Sequence, residues 1–400
     1  MIRLLRRLKT RLLISLKFFL GLPSWLFRKR RLHILIGQGD LGLLVDILSR
    51  LSFYAPELTP SRIEIHHSLG IHSIIGQPFV LDFSGNEAHS QSFYRQLSNQ
   101  FHVDHRIYIA AWEWVRLSNY FYPIQYSAAN AFALFSEAAA RVKSYEYQKA
   151  YIFGTGPSLA HAFGRRWDNG IRIVCNTVVR DSCLFKHIDP HFVVAGDSLY
   201  HFSETAFARK FRNDLKSVLL ESDCYFVYPS IYDCVVKREF ECLAHRLIGI
   251  PCGGPQSVAV DLLSDFRLPS LGNVLGLLLL PLATTFSKRV ELCGFDGRSP
   301  FDDESPFWAN SQQHSYPELM HTLKEAYPFF FEHYVPRNNS QAYISSVHGD
   351  LLDELMTDAE CNGFIFKMLH PSWTSTLNKR YSGFRTPRDY ELDPVAELQS

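Results

Sequence analysis

From Ala150 onward the apolar and polar positions fall into short, nearly continuous apolar runs separated by helix-like stretches. Tyr151–Phe153, Ile171–Cys175, Phe192–Ala195, Cys224–Tyr228 and Arg289–Cys293 read as strands. Phe364–Leu369 reads as one more, after a helix over Asp350–Cys361. A long apolar helix is expected over Asn273–Thr284. Strands buried on both faces lose the alternation of half-exposed ones, and their regular interleaving with helices predicts a parallel, doubly wound sheet. The expected fold is therefore α/β, with a Rossmann-like, mostly parallel sheet.

The first 150 residues are less regular. An apolar strand and then a helix beginning near Gly39-Asp40 are expected within His33–Leu51, with further strands at Phe79–Phe83 and His105–Ala110. The alanine-rich segment Asn130–Lys143 predicts a helix. At the start, Leu5, Leu8, Leu12, Leu16 and Phe19 recur at helical spacing, and residues 1–31 carry ten Lys or Arg and no acidic residue. Lys17 and Pro23 interrupt the apolar run, which is too broken for the roughly 20 residues of a membrane span. A helix lying on an anionic membrane surface is expected instead, each basic side chain contributing about 1 kcal/mol. The implied organisation is a basic amphipathic segment over 1–31, an accessory α/β region over 32–149, a nucleotide-sugar-binding catalytic domain over 150–380, and a tail over 381–400.

Composition narrows the classes. The 400 residues are 46% hydrophobic with a formal net charge of +1, which argues against a dedicated nucleic-acid binder. The eight cysteines include no C-x-x-C pair and no zinc-ligand spacing, and several sit in apolar runs as small hydrophobes. A reduced, cytoplasmic protein on the inner membrane face, with no metal site, is the expectation.

Candidate chemistry gathers at strand ends, where open α/β sheets bind ligands. Gly154-Thr155-Gly156-Pro157-Ser158-Leu159 follows a strand, and such a turn can place backbone N–H groups against a phosphate. It also reads as a tight structural bend. It lacks both the dinucleotide fingerprint and the P-loop lysine. Asn176 follows the second strand, and Asp197 with Ser198 the third; each taken alone reads first as a turn or cap residue. Gly294, Asp296 and Arg298 follow a later strand, and Gly272-Asn273 opens a helix. Asp302, Asp303 and Glu304 read as a solvated loop. Among seventeen histidines, His348 and His314 occupy loops suited to a general base.

Taken in order, GTGPSL (154–159), Cys175-Asn176, Ala195-Gly196-Asp197, SLGNV (270–274), the 291–296 segment, His348 and the 369–372 segment resemble the bacterial sialyltransferases of glycosyltransferase family 42. They are also similar to the related domain of unknown function 115, found in motility accessory factors and 6-hydroxymethylpterin diphosphokinase-like proteins. The resemblance covers about residues 150–375. It implies a GT-A-variant fold and a CMP-sugar donor, with Gly154, Gly156, Pro157 and Ser158 near phosphate and ribose and Asn176 near the cytidine. Gly272 matches a nucleotide-contacting glycine, with Leu271 in place of the family serine, and His348 matches the catalytic histidine. Asp197 stands where the family has Asn. The two tyrosines that assist the leaving phosphate are replaced near Arg298 and Glu304, which leaves open a different donor or reaction. The expectation is transfer of a nonulosonate sugar, of sialic acid or Kdo type, to a glycan or glycolipid acceptor without a required cofactor. The alternatives are a diphosphokinase with ATP and Mg2+ held by Asp197 and Asp296, and a non-catalytic scaffold.

Overall fold

A computed structural model describes residues 32–36, 41–58, 60–66, 79–83, 99–102, 110–121, 128–299, 315–328, 330–331 and 349–392. The chain divides into two compact units, residues 1–123 and 124–400.

In the first unit, β1 (Leu32–Ile36), β2 (Ile63–His66), β3 (Phe79–Phe83) and β4 (Asn99–His102) form a parallel sheet in the order β2-β1-β3-β4. Helix α1 (Leu41–Tyr54) buries Ile47, Leu51 and Tyr54, and α2 (Ala110–Phe121) buries Trp114, Val115 and Leu117. The rings of Tyr54 and Trp114 lie nearly parallel, 6.2 Å apart. A fourth strand falls at 99–102; of the strand expected over His105–Ala110, Ala110 belongs to α2 and residues 105–109 lie outside the described residues.

The second unit begins with α3 (Ala128–Lys143), whose Phe135, Ala138 and Val142 are fully buried in its core. That helix thus packs with the larger sheet, and the unit starts at Ile124 rather than at residue 150. Seven strands follow: β5 (Ala150–Phe153), β6 (Ile171–Cys175), β7 (Phe192–Val194), β8 (Tyr225–Pro229), β9 (Leu247–Ile250), β10 (Arg289–Cys293) and β11 (Ile365–Met368). All neighbours are parallel, in the order β11-β10-β5-β6-β7-β8-β9. The sheet is flanked by helices α4 (Ser182–Ile188), α5 (Ser198–Phe202), α6 (Ala206–Leu220), α7 (Asp233–Glu239), α8 (Leu280–Phe286), α9 (Met320–Ala326), α10 (Asp350–Cys361) and α11 (Ser375–Asn378). The result is a mixed α/β unit around a parallel sheet, compatible with a Rossmann-like fold.

Burial explains why the strand runs are apolar throughout. Ile152, Ile173 and Val194 face a core shared with α3, α8 and α10, while Tyr151 and Phe153 turn their rings onto Trp167, each 4.9 Å away. The helix expected over Asn273–Thr284 is continuous from Val274 to Phe286 but changes its hydrogen-bond pattern midway. Pro281 has no N–H to donate, and the preceding turn widens to a π-helix at Leu275–Leu279, closed by the Leu280 N–H on the Leu275 carbonyl.

The chain runs β5 to β9 outward in one direction, then returns to place β10 on the other side of β5. The β5/β10 boundary is therefore the switch point of the sheet, and the crevice beyond its carboxyl end is where ligands of such folds bind.

Candidate functional site

The loops after β5, β10 and β11 interlock at the switch point. The Gly154 N–H donates to the Cys293 carbonyl and the Gly156 N–H to the Gly294 carbonyl, both at 2.8 Å. The Asp296 carboxylate accepts from the Ser158 N–H at 3.2 Å and from the Ser158 hydroxyl at 2.8 Å. Pro157–Gly164 is a 3-10 helix, and its first turn already has a carboxylate at its positive end. From the third loop, the Ser372 hydroxyl donates to the Phe295 carbonyl at 2.7 Å and the Trp373 N–H to the Asp296 carbonyl at 2.7 Å.

This packing accounts for the glycines. A Cβ on Gly154 would lie 2.4 Å from the Gly294 carbonyl oxygen, and one on Gly156 would lie 2.1 Å from Asp296 Oδ2. Gly294 itself has a φ of 79°. The turn expected to cradle a phosphate thus spends the amides of Gly154, Gly156 and Ser158 on its own chain. Thr155, half-buried at the tip, has no hydrogen-bond partner among the described residues. Pro157 is exposed at the head of the 3-10 helix.

His370 is a keystone of the same cluster. It is buried, and its Nε2 accepts from the Gly294 N–H at 2.9 Å while Nδ1 donates to the Pro371 carbonyl at 2.8 Å. Both contacts require the proton on Nδ1, which makes this ring a fixed wedge behind the β10 loop.

Next along the carboxyl edge, Asn176 leaves β6 with a φ of 50°, a left-handed backbone uncommon outside glycine. Its side-chain Oδ1 is buried without a hydrogen-bond partner among the described residues. A left-handed turn residue and an acceptor without a partner thus fall together at this strand end. Asp197, after β7, caps α5: Oδ1 accepts from the Leu199 N–H at 2.8 Å and from the Tyr200 N–H at 3.0 Å. The residue is open to solvent, yet protein surrounds its carboxyl closely enough that desolvation raises its pKa. Tyr232, beyond β8, is buried and stacked on Phe202 with ring centres 4.1 Å apart, and its hydroxyl reaches Ser198. Burial pushes that hydroxyl's pKa up, so it stays protonated.

Gly272 is exposed, with open space where a Cβ would stand, and Asn273 Oδ1 accepts from the Gly276 N–H at 2.7 Å. The opening of this helix thus has a side-chain cap. Arg298 is half-buried beyond β10. His348, His314, Asp302, Asp303, Glu304 and residues 1–31 lie outside the described residues. All eight cysteines are free, and burial raises the Cys175 and Cys293 thiols to about 12, as suits packing residues. Among the described residues no helix is long and apolar enough to cross a membrane.

The carboxyl edge therefore brings Thr155, Asn176, Asp197, Ser198 and the Asp296 loop to one end of one sheet. Missed from the sequence were Tyr232 and the wedge His370; the second gave no signal beyond a His-Pro pair. No family model matches the chain, and no curated protein or solved structure matches it.

Proposed function

We propose that the second unit is a nucleotide-sugar glycosyltransferase of GT-A-variant type, moving a nonulosonate from a CMP donor to a glycan or glycolipid hydroxyl. The observation that carries this reading is Asn176. Its unspent Oδ1 and left-handed backbone stand beside the switch point, where an amide group can read the donor and acceptor edge of a cytosine. The geometry redistributes the roles expected from the resemblance. Gly154, Gly156 and Ser158 hold the loops together, and the groups left to meet the nucleotide are Thr155, the Asn176 side chain, Ser198 and the Gly272 opening. Arg298 is assigned to the departing phosphate and His348 to the acceptor proton, in a direct displacement that needs no metal. The basic segment 1–31 would hold the enzyme against an anionic membrane on the cytoplasmic side.

The diphosphokinase reading is less well supported, because Asp197 and Asp296, its magnesium ligands, both serve as caps. Thermal-shift titration with CMP, CDP, UDP and ATP, followed by CMP release from CMP-sugars, tests the proposal. His348→Ala should lower turnover by about 10²–10⁴ with nucleotide binding retained. Stabilisation by ATP but not by CMP would overturn the reading.

A further inference from the structure

The first unit holds a side-chain cluster that the candidate site does not use. In the parallel register His33 of β1 stands opposite Glu64 of β2, and His66 lies two residues further along β2 on the same face. Their polar atoms converge: His33 Nδ1 lies 2.9 Å from His66 Nε2 and 3.4 Å from Glu64 Oε2, and His66 Nε2 lies 3.6 Å from Glu64 Oε2. Among the described residues they are a group of three whose ligand atoms all fall within 4.8 Å of one another. No metal site was expected from the sequence, because these residues lie about thirty apart and only the β1/β2 register joins them.

We propose that His33, Glu64 and His66 bind a zinc-class divalent cation. Ligand atoms at zinc–nitrogen and zinc–oxygen distances of about 2.0–2.1 Å stand roughly 3.3 Å apart in a tetrahedron, and the three separations bracket that value. Two imidazoles and one carboxylate form a borderline-soft set suited to zinc rather than to magnesium or calcium, which take oxygen ligands. Small rotations of the rings separate the two nitrogens enough to admit the ion, with His33 then carrying its proton on Nε2 and His66 on Nδ1. The His33 side chain is 8% exposed, against 31% for Glu64 and 24% for His66. Since β2 is the edge strand, one ligand is anchored inside while the other two border solvent, so water completes the coordination.

The test uses the full chain, stripped with a chelator and titrated with zinc chloride by calorimetry, and with cobalt(II) followed by visible absorption. The wild type should bind one equivalent more than Glu64→Gln/His66→Gln and show the intense bands of four-coordinate cobalt. Each single variant should weaken that equivalent by about 100-fold or more. Both substitutions lie at the sheet edge, and circular dichroism checks that the variants remain folded; a double variant that unfolds is replaced by the single ones. Equal stoichiometry and spectra in wild type and folded variants, or no binding by the wild type, would overturn the proposal and leave a hydrogen-bonded trio.

Discussion

Replacing Gly154 with alanine separates a glycine needed by the fold from a glycine needed by a ligand. The new Cβ would sit 2.4 Å from the Gly294 carbonyl oxygen and 3.0 Å from its carbon, with Phe295 as close. That is roughly 1 Å inside van der Waals contact with a backbone atom that cannot rotate away. The two loops cannot part freely, because the Gly154 and Gly156 N–H groups bond across the gap at 2.8 Å. Overpacking of this kind costs about 1–3 kcal/mol, and a loosened backbone hydrogen bond adds about 1 kcal/mol. A loss of about 3 kcal/mol should lower the melting temperature by about 4–6 °C in a unit of this size. The assay is thermal unfolding without ligand, with Gly272→Ala as control, since nothing lies within 4 Å of the Cβ it would add. If Gly154→Ala melts within about 1 °C of that control while nucleotide binding is lost, the glycine serves a ligand and the packing argument fails.

Asp296→Ala strips the Ser158 amide and hydroxyl of their acceptor and should cost about 1–3 kcal/mol, read as a lower urea midpoint with an unchanged slope; an unaltered midpoint would count against the cap. Asn176→Gly relieves a left-handed backbone, so stability should stay within about 0.5 kcal/mol of wild type. Under the proposed function the same change should weaken CMP binding at least about tenfold, and equal affinity would remove Asn176 from the site. Burial, aided by Arg172 and Arg141, lowers the His191 pKa to about 3, and burial with Arg212 lowers His201 to about 3. Both rings are neutral in the folded chain but take a proton on unfolding below their ordinary 6.5, so the unfolded state binds more protons. Stability should therefore be full above pH 6.5 and fall toward pH 3, by up to about 1.4 kcal/mol per pH unit for each histidine. His201→Gln should flatten the slope of a denaturation series between pH 6.5 and 5, and an unchanged slope would contradict the assignment.

The seven-stranded sheet was largely legible because its strands are covered on both faces. Ile171–Cys175 is apolar at four of five positions, and the exception, Arg172, is buried only by spending its guanidinium on Asp189, Trp167 and Gly170. Less visible were β9, four residues containing a glycine, and β2, whose Ile-Glu-Ile-His alternates too briefly to stand out. The widening of the turn before Pro281 was not legible, since the apolar run there predicts one long helix. At the candidate site, sequence located the strand ends but not what their residues touch. The partners of Gly154 and Gly156 lie about 140 residues away, so a turn that closes on a neighbouring loop looks the same as one that closes on a phosphate. The His33, Glu64 and His66 trio was hidden for the same reason, since register belongs to tertiary structure.

The return of the chain to lay β10 against β5 also shapes how the molecule is made. During synthesis β5 to β9 emerge first, and until Arg289–Cys293 arrives the strand Ala150–Phe153 stands at an open edge rather than inside the sheet. Its apolar run then offers unpaired amides to any neighbouring chain for the time taken to add well over a hundred residues. The nascent protein thus passes through a stage in which a future interior strand is an open border. Chaperone demand and self-association should concentrate there, and both should end when β10 docks and the glycine-lined loops close over the sheet.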